Sequence, residues 1–269
     1  MNKITEQDSI HRHLEKKSIQ ELTQLINEED KKVAIAIEAA LPQLNALIGK
    51  VVGQLKKGGR LFYLGAGSGG RLSVLDAIEL PTTYGISRGV VNVILAGGVD
   101  RLVEAPEEME DEELAGWEAL VENKVTPDDI VIGITASGTT PFVVGALQQC
   151  KLHAIPSGCI VSNPDSPVAA LADYPVEVIT GPEFITGSTR MKCGTAQKMI
   201  FDMISTTTMI QLGRVLDNKM VNVLLINNKI TDRAVRILME CAKIDDYNEA
   251  KALLMKKGSV KEALDAMNK

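Results

Sequence analysis

Five short apolar runs, each bounded by glycine, serine or asparagine, set the strongest limit on the fold of this chain. They are LFYLGAG at 61–67, VVNVILAGG at 90–98, DIVIGITASG at 129–138, GCIVSN at 158–163 and VEVITG at 176–181. The runs are continuous rather than alternating, which is typical of strands covered on both faces. Stretches with helical periodicity separate them. Strands that alternate with helices predict an α/β fold with a doubly wound parallel sheet.

The predicted helices lie before and between these strands. Apolar residues recur at helical spacing from Ser18 to about Leu55, which predicts two helices before the core, and Ser18 with Glu21 fits a capping box at the start of the first. A helix over RLSVLDAIE (71–79) is expected to stop before Pro81. The other predicted helices cover residues 102–122, 140–150, 166–172 and 187–213.

The last part of the chain has its own helical pattern. After Thr231 the sequence predicts three short helices with a break at Gly258. We therefore predict two domains: a main α/β domain with an N-terminal helical extension at 1–228, and a small C-terminal helical bundle at 229–269.

The composition limits which binding partners and which cellular compartment we expect for this protein. A formal net charge of −6 over 269 residues argues against a nucleic acid or an anionic membrane as partner. The N-terminus has no apolar core of a signal peptide, and no stretch reads as about 18 consecutive apolar residues, so we expect a cytoplasmic protein. The cysteines lack metal-ligand spacing, which predicts buried reduced thiols and no metal: Cys150, Cys159, Cys193 and Cys241.

A G-x-G-x-x-G spacing at Gly65, Gly67 and Gly70 follows the first strand. This spacing occurs in dinucleotide-binding enzymes, but those also need an acidic residue at the end of the second strand to hold the ribose hydroxyls. Here the second strand ends in LAGG, and Asp100 lies beyond both glycines. The sequence therefore disfavours a nicotinamide cofactor, and we expect no cofactor.

A second glycine-rich and hydroxyl-rich loop, TASGTTP at 135–141, follows the third strand. Two such turns, each between a strand and a helix, offer backbone N–H groups and hydroxyls to one anion, which favours a single phosphate held between them. The alternative is that Ser137, Thr139 and Thr140 only cap the following helix.

Several motifs in order resemble one known family. INEEDKKV (26–33), GAGSGGRLSVLDAIELPTTYG (65–85), AGG (96–98) followed by EMED (108–111), and GSTRMKCGTAQK (187–198) are similar to the N-acetylmuramic acid 6-phosphate etherases, which carry a sugar isomerase (SIS) phosphosugar-binding domain. The glucokinase regulatory protein shares several of these motifs. The resemblance implies a cytoplasmic homodimer that needs neither metal nor cofactor and acts on a phosphorylated amino sugar.

The resemblance also implies site residues. The phosphate would be bound by Gly67, Ser68, Gly69, Ser137, Gly138, Thr139 and Thr140, and the sugar would lie beside Glu183, Ser188 and Lys192. Glu79 and Glu110 match the two catalytic carboxylates, with Glu110 as base and Glu79 as acid. From the residues alone, Glu79 also fits a solvated helix-end carboxylate and Glu110 a member of a solvated acidic face.

The implied activity is that of a lyase which removes D-lactate from N-acetylmuramic acid 6-phosphate to give N-acetylglucosamine 6-phosphate. Ser68-Gly69 stands where the family has Thr-Ser, so one phosphate-binding hydroxyl is missing. This difference favours one alternative, a non-catalytic phosphosugar sensor. The other alternative is an aldose-ketose phosphosugar isomerase.

Overall fold

The fold was analysed in a computed structural model, which describes residues 3–104 and 106–267. The chain divides into two compact units. The first comprises Met1–Ala77 and Gly89–Ile204, and the second comprises Ile78–Arg88 and Ser205–Lys269.

A five-stranded parallel sheet forms the centre of the first unit. Its strands are β1 (Leu61–Gly65), β2 (Val91–Leu95), β3 (Ile130–Ile134), β4 (Ser157–Val161) and β5 (Tyr174–Glu177), in the order β2-β1-β3-β4-β5. β1, β3 and β4 are buried at every position, as continuous apolar runs require. The predicted doubly wound α/β sheet is confirmed, although β5 begins two residues before its predicted run.

Helices surround the strands. They are α1 (Ile19–Lys56), α2 (Gly67–Tyr84), α3 (Ala115–Glu122), α4 (Pro141–Leu152), α5 (Pro167–Leu171) and α6 (Lys192–Gln211). The last part of α2, from Ile78, and the last part of α6, from Ser205, belong to the second unit.

The two helices predicted before the core are one helix of 38 residues, α1, so that prediction is wrong. The Ser18 capping box is confirmed, since the Glu21 N–H donates to Ser18 Oγ and the Ser18 N–H donates to the Glu21 carboxylate. The polar stretch at 27–32 lies inside this helix, where Glu29 faces the interior and pairs with the buried Lys192. Pro42 is also accommodated inside α1.

By length and composition alone, α1 passes the test for a membrane-crossing helix, which differs from the expectation drawn from the sequence. A core helix of a folded domain passes the same test. Val33, Ile37 and Leu44 are each 1% exposed, so one face of α1 packs in the core of the first unit, whereas Ile35 is 66% exposed.

Three other predicted helix bounds are wrong. Residues 102–122 do not form one helix: a 3-10 turn at Glu107–Asp111 precedes the short α3, because Pro106 and a run of like charges disfavour a continuous helix. α2 continues through Pro81 to Tyr84 rather than stopping before it. α6 begins at Lys192, since residues 187–191 form turns.

The second unit contains a short hairpin, β6 (Val215–Leu216) with β7 (Lys219–Met220), followed by α7 (Asn228–Ala242), α8 (Tyr247–Lys257) and α9 (Val260–Met267). The three predicted C-terminal helices are confirmed, and Gly258 ends α8 with a φ of +87°. This unit begins before residue 229, so an independent domain at 229–269 stays a prediction.

The cysteines are free thiols, as predicted. Cys150, Cys159 and Cys193 are buried, and desolvation raises the pKa of each to about 12. Cys241 is partly exposed. Thiols with such high pKa values are poor nucleophiles, which indicates a packing role for the three buried ones.

A buried ion pair joins α1 to the start of α6. Lys192 Nζ donates to Glu29 Oε2 at 2.7 Å, and the two side chains are 2% and 5% exposed. Lys32 Nζ and the His11 ring lie 2.6 and 3.0 Å from Glu29 Oε1. Desolvation by burial raises the pKa of Glu29, but the hydrogen bonds from Lys192, Lys32 and His11 outweigh it and lower the pKa to about 2.

We predict that Glu29→Gln lowers the free energy of unfolding at pH 7 by about 3 to 5 kcal/mol, because it leaves the Lys192 ammonium buried without its carboxylate. The pKa of Glu29 is lower in the folded state than in the unfolded state. Ionised Glu29 therefore stabilises the fold at every pH above its ordinary pKa of 4.5. That contribution is lost as the pH falls from about 5 to about 2.

Urea denaturation of both proteins at pH 7 and at pH 3 measures the effect. The difference between wild type and Glu29→Gln should shrink at pH 3. Glu28→Gln is the matched control, because Glu28 is exposed on the same helix and should stay within about 0.5 kcal/mol of wild type. Equal stability of Glu29→Gln and Glu28→Gln at pH 7 would contradict the role of this ion pair.

Candidate active site

The order of the strands determines where a ligand can bind. The chain proceeds outward in one direction from β1 to β2 and in the other from β3 to β5, so the topological switch point lies between β1 and β3. Open parallel sheets bind ligands at the carboxyl ends of the strands at this point. Gly65 and Ile134, the last residues of β1 and β3, are register partners. The two predicted phosphate loops therefore begin side by side.

The first loop needs its glycines for close packing of α2 on β1. A Cβ at Gly70 would lie 2.6 Å from Leu95 Cδ1 and 2.8 Å from the Gly65 carbonyl carbon. Gly67 has a φ of +55°. Such contacts leave no room for larger residues, and they bring the first turn of α2, with its backbone N–H groups, to the edge of the sheet.

Hydrogen bonds among its own hydroxyl groups fix the conformation of the second loop. Thr135 Oγ1 lies 2.7 Å from Thr140 Oγ1 and 3.2 Å from Ser137 Oγ, and the Thr139 N–H donates to Ser137 Oγ. Thr140 is the N-cap of α4, yet its side chain makes no capping hydrogen bond within the described chain. The alternative that this hydroxyl only caps α4 is therefore wrong.

A cavity of about 190 Å³ opens between these loops. Its walls come from the start of α2, the β3–α4 loop, the turn before α6, the first part of α6 itself and two further turns of the first unit. The lining residues are Glu6, Ala66, Gly67, Ser68, Gly69, Glu110, Thr135, Ala136, Ser137, Thr140, Gly187, Thr189 and Gln197. Five of the predicted phosphate ligands line it, while Gly138 and Thr139 shape the loop behind it.

Glu110 is the predicted catalytic residue that lies in this cavity. A Cβ at Gly67 would be 2.9 Å from Glu110 Oε1, so the carboxylate lies against the first loop. Met109 packs on the apolar core beside it, whereas Glu107, Glu108 and Asp111 are exposed. Desolvation by burial, reinforced by Glu107, raises the pKa of Glu110 despite Arg71. The acidic run at 107–111 is therefore not exposed to solvent at every position.

Glu79 lies on the part of α2 that belongs to the second unit, and its side chain is exposed. It is not among the described residues that line the cavity. Its neighbour Ile78 is 63% exposed. The catalytic role of Glu79 stays a prediction.

The predicted sugar ligands are engaged within the protein. Glu183 is 1% exposed, and its carboxylate accepts the N–H groups of Lys192 and Cys193 at 2.9 Å, which caps the start of α6. Lys192 Nζ is paired with Glu29. Ser188 is half-buried in the turn between the lining residues Gly187 and Thr189. Contact of these side chains with a sugar stays a prediction, and the geometry favours a role in holding the turn before α6.

Sequence reasoning missed four polar lining residues: Glu6, Thr135, Thr189 and Gln197. Thr135 lies within the second-loop motif, and Thr189 and Gln197 lie within the family motif at 187–198, whereas nothing in the local pattern around Glu6 signals a site. Among the described residues, no group of three His, Cys, Asp or Glu side chains is arranged to hold a metal ion. That the site needs no metal or cofactor stays a prediction.

We predict that Gly138→Ala destabilises the protein by about 2 kcal/mol or more. Gly138 has a φ of +71°, and a Cβ there would overlap the Ser166 side chain. Gly53→Ala is the matched control, because Gly53 lies inside α1 with nothing within 4 Å of an added Cβ, and the change should be neutral or stabilising by up to about 1 kcal/mol. Thermal unfolding measures both, and equal effects would contradict the strained conformation of the second loop.

Comparison with known families agrees with this arrangement. A family model described as the glucokinase regulatory protein N-terminal SIS domain matches residues 43–151, and one described as the SIS domain matches residues 114–207. Both include the second loop. Taken together, the two matched ranges include all five strands of the parallel sheet.

Relatives match over nearly the whole chain. The N-acetylmuramic acid 6-phosphate etherase of Bacteroides thetaiotaomicron is 53% identical over 98% of this chain and 95% of its own length. That of Porphyromonas gingivalis is 52% identical over 98% of this chain and 96% of its own. Among solved structures, a phosphoheptose isomerase from Francisella tularensis superposes with a TM-score of 0.52 at 15% identity, over 74% of this chain and 100% of that one. At this identity the superposition shows the fold alone.

Proposed function

The chain belongs to the N-acetylmuramic acid 6-phosphate etherase family, a family of carbon–oxygen lyases that act on a phosphosugar, and we propose that the cavity between its two loops is where the lactyl ether is cleaved. The observation that carries this proposal is the position of Glu110. Its half-buried carboxylate lies beside the loop proposed to hold the phosphate.

The two loops are suited to bind the phosphate. The start of α2 and the loop that leads into α4 line the cavity, where backbone N–H groups near a helix N-terminus favour an anion, and Ser68, Ser137 and Thr140 add hydroxyls. Gly69 adds no hydroxyl, but Gln197 is close to it, since a Cβ at Gly69 would lie 2.8 Å from Gln197 Oε1. We propose that the first loop binds mainly through its backbone.

Glu110 is proposed as the base. In the open-chain sugar the proton on carbon 2 lies next to the aldehyde, and Glu110 removes it. The electron pair forms the double bond between carbons 2 and 3, and the bond from carbon 3 to the ether oxygen breaks. The raised pKa of Glu110 makes it a stronger base than an ordinary glutamate.

The departing lactate needs a proton, which we assign to Glu79. Water then adds to carbon 3 and a proton returns to carbon 2, which yields N-acetylglucosamine 6-phosphate and D-lactate overall.

Glu79 is exposed on α2 beside the exposed Leu75 and Ile78. Exposed apolar side chains next to a functional carboxylate support a homodimer in which a second copy covers this face. We also propose the cytoplasm as its compartment.

We predict that Glu110→Gln lowers the rate of lactate release by about 10² to 10⁴-fold, because the general base is lost. Binding of N-acetylglucosamine 6-phosphate should remain, seen as an increase in the unfolding temperature with added ligand. In heavy water, wild type should place deuterium at carbon 2 and Glu110→Gln should not.

Glu108→Gln is the matched control, because Glu108 is exposed in the same turn and should keep near wild-type activity. Equal activity of Glu110→Gln and Glu108→Gln would place the base elsewhere. Wild-type protein that binds the phosphosugar but releases no lactate would favour the sensor, and interconversion of an aldose and a ketose phosphate would favour the isomerase.

A further inference from the structure

The N-terminal segment, residues 3–12, is tied to the second phosphate loop through one buried amide. The Thr5 N–H donates to Asn163 Oδ1 at 3.2 Å, and Asn163 Nδ2 donates to Thr5 Oγ1 at 3.0 Å. Asn163 Nδ2 also lies 3.2 Å from the carbonyl oxygens of Ala136 and Ser137. Thr5 and Asn163 are both fully buried. The N-terminal segment and the loop are therefore held as one assembly.

Three more hydrogen bonds, made by Lys3 and Ser9, fix the segment on either side of Thr5. Lys3 Nζ donates to Thr139 Oγ1 at 2.9 Å. Ser9 Oγ donates to the Phe184 carbonyl at 2.7 Å, and the Ser9 N–H donates to Thr186 Oγ1 at 2.9 Å. Glu6 lies between these fixed points and directly follows the buried Thr5, so its backbone has a defined position.

Glu6 lines the cavity from the side of the turn before α6. Its Oε2 would lie 3.5 Å from a Cβ added at Gly187. None of the ion pairs among residues 3–104 and 106–267 includes Glu6. The segment thus presents a cation, Lys3, at the second loop and an unpaired carboxylate at Gly187.

A free carboxylate in a cavity for a phosphate weakens the binding of the anion by charge repulsion. A ligand that carries hydrogen-bond donors away from its phosphate reverses this cost, because a carboxylate accepts such bonds more strongly than a neutral group does. Sugar hydroxyls and an acetamido N–H are donors of this kind.

We propose that Glu6 is a specificity-determining residue that accepts hydrogen bonds from the sugar part of the ligand and discriminates against phosphate alone. The inference rests on the proposed function only in taking a phosphosugar as the ligand of this cavity. It assigns the sugar to the Gly187 side and the phosphate to the side of the second loop.

Calorimetric titration of wild type, Glu6→Gln and Glu15→Gln with N-acetylglucosamine 6-phosphate and with inorganic phosphate tests this. Glu15 is exposed near the same segment and does not line the cavity, so its variant is the matched control. Glu6→Gln should weaken sugar phosphate binding about 10-fold. It should leave inorganic phosphate binding unchanged or strengthen it up to about threefold, because a negative charge is removed. Glu15→Gln should match wild type for both.

The opposite response of the two ligands separates recognition from structural damage. Equal weakening of both would show that Glu6 only supports the loop, and no change in either would show that it does not contact the ligand; each result overturns the proposal. In the lactate assay, Glu6→Gln should raise KM about 10-fold with kcat within threefold. If wild type releases no lactate, the proposed reaction fails, while the titration still decides the role of Glu6.

Discussion

The site depends on the register of two neighbouring parallel strands. β1 and β3 end opposite each other, and the chain leaves them in opposite directions, so their carboxyl ends open onto one crevice. The helix that follows each strand starts at this crevice with its N-terminus. Two helix N-termini and a set of hydroxyls make an environment that favours an anion without requiring any cation in the loops themselves.

Burial separates the charged groups near the crevice into two sets: those that stabilise the fold and those that a ligand can contact. Glu29 and Lys192 are buried and paired with each other, which joins α1 to α6, and the buried Glu183 caps the start of α6. Glu110 and Glu6 face the cavity, where a ligand can reach them. Because pairing lowers the pKa of Glu29 while desolvation raises that of Glu110, carboxylates of one residue type acquire different chemistry within the first unit.

Much of this arrangement could be predicted from the sequence, because local patterns carry it. Continuous apolar runs predicted the five strands, and the glycine and hydroxyl spacings predicted both loops. The long helix expected at 102–122 failed because Pro106 and the clustered acids outweigh its apolar periodicity, and the break expected within α1 failed because Glu29 is paired far along the chain. Glu6 could not be found, since its position depends on Thr5 and Asn163, which are 158 residues apart. Contacts at such separations leave no mark on a local pattern.

We propose that the cavity carries out elimination followed by addition of water, so that the bond from carbon 3 to the ether oxygen is the one that breaks. Turnover of N-acetylmuramic acid 6-phosphate in ¹⁸O-labelled water, followed by mass spectrometry of both products, tests it most directly. We expect one ¹⁸O atom on carbon 3 of N-acetylglucosamine 6-phosphate and none in the lactate. Label in the lactate, or unlabelled products, would contradict it.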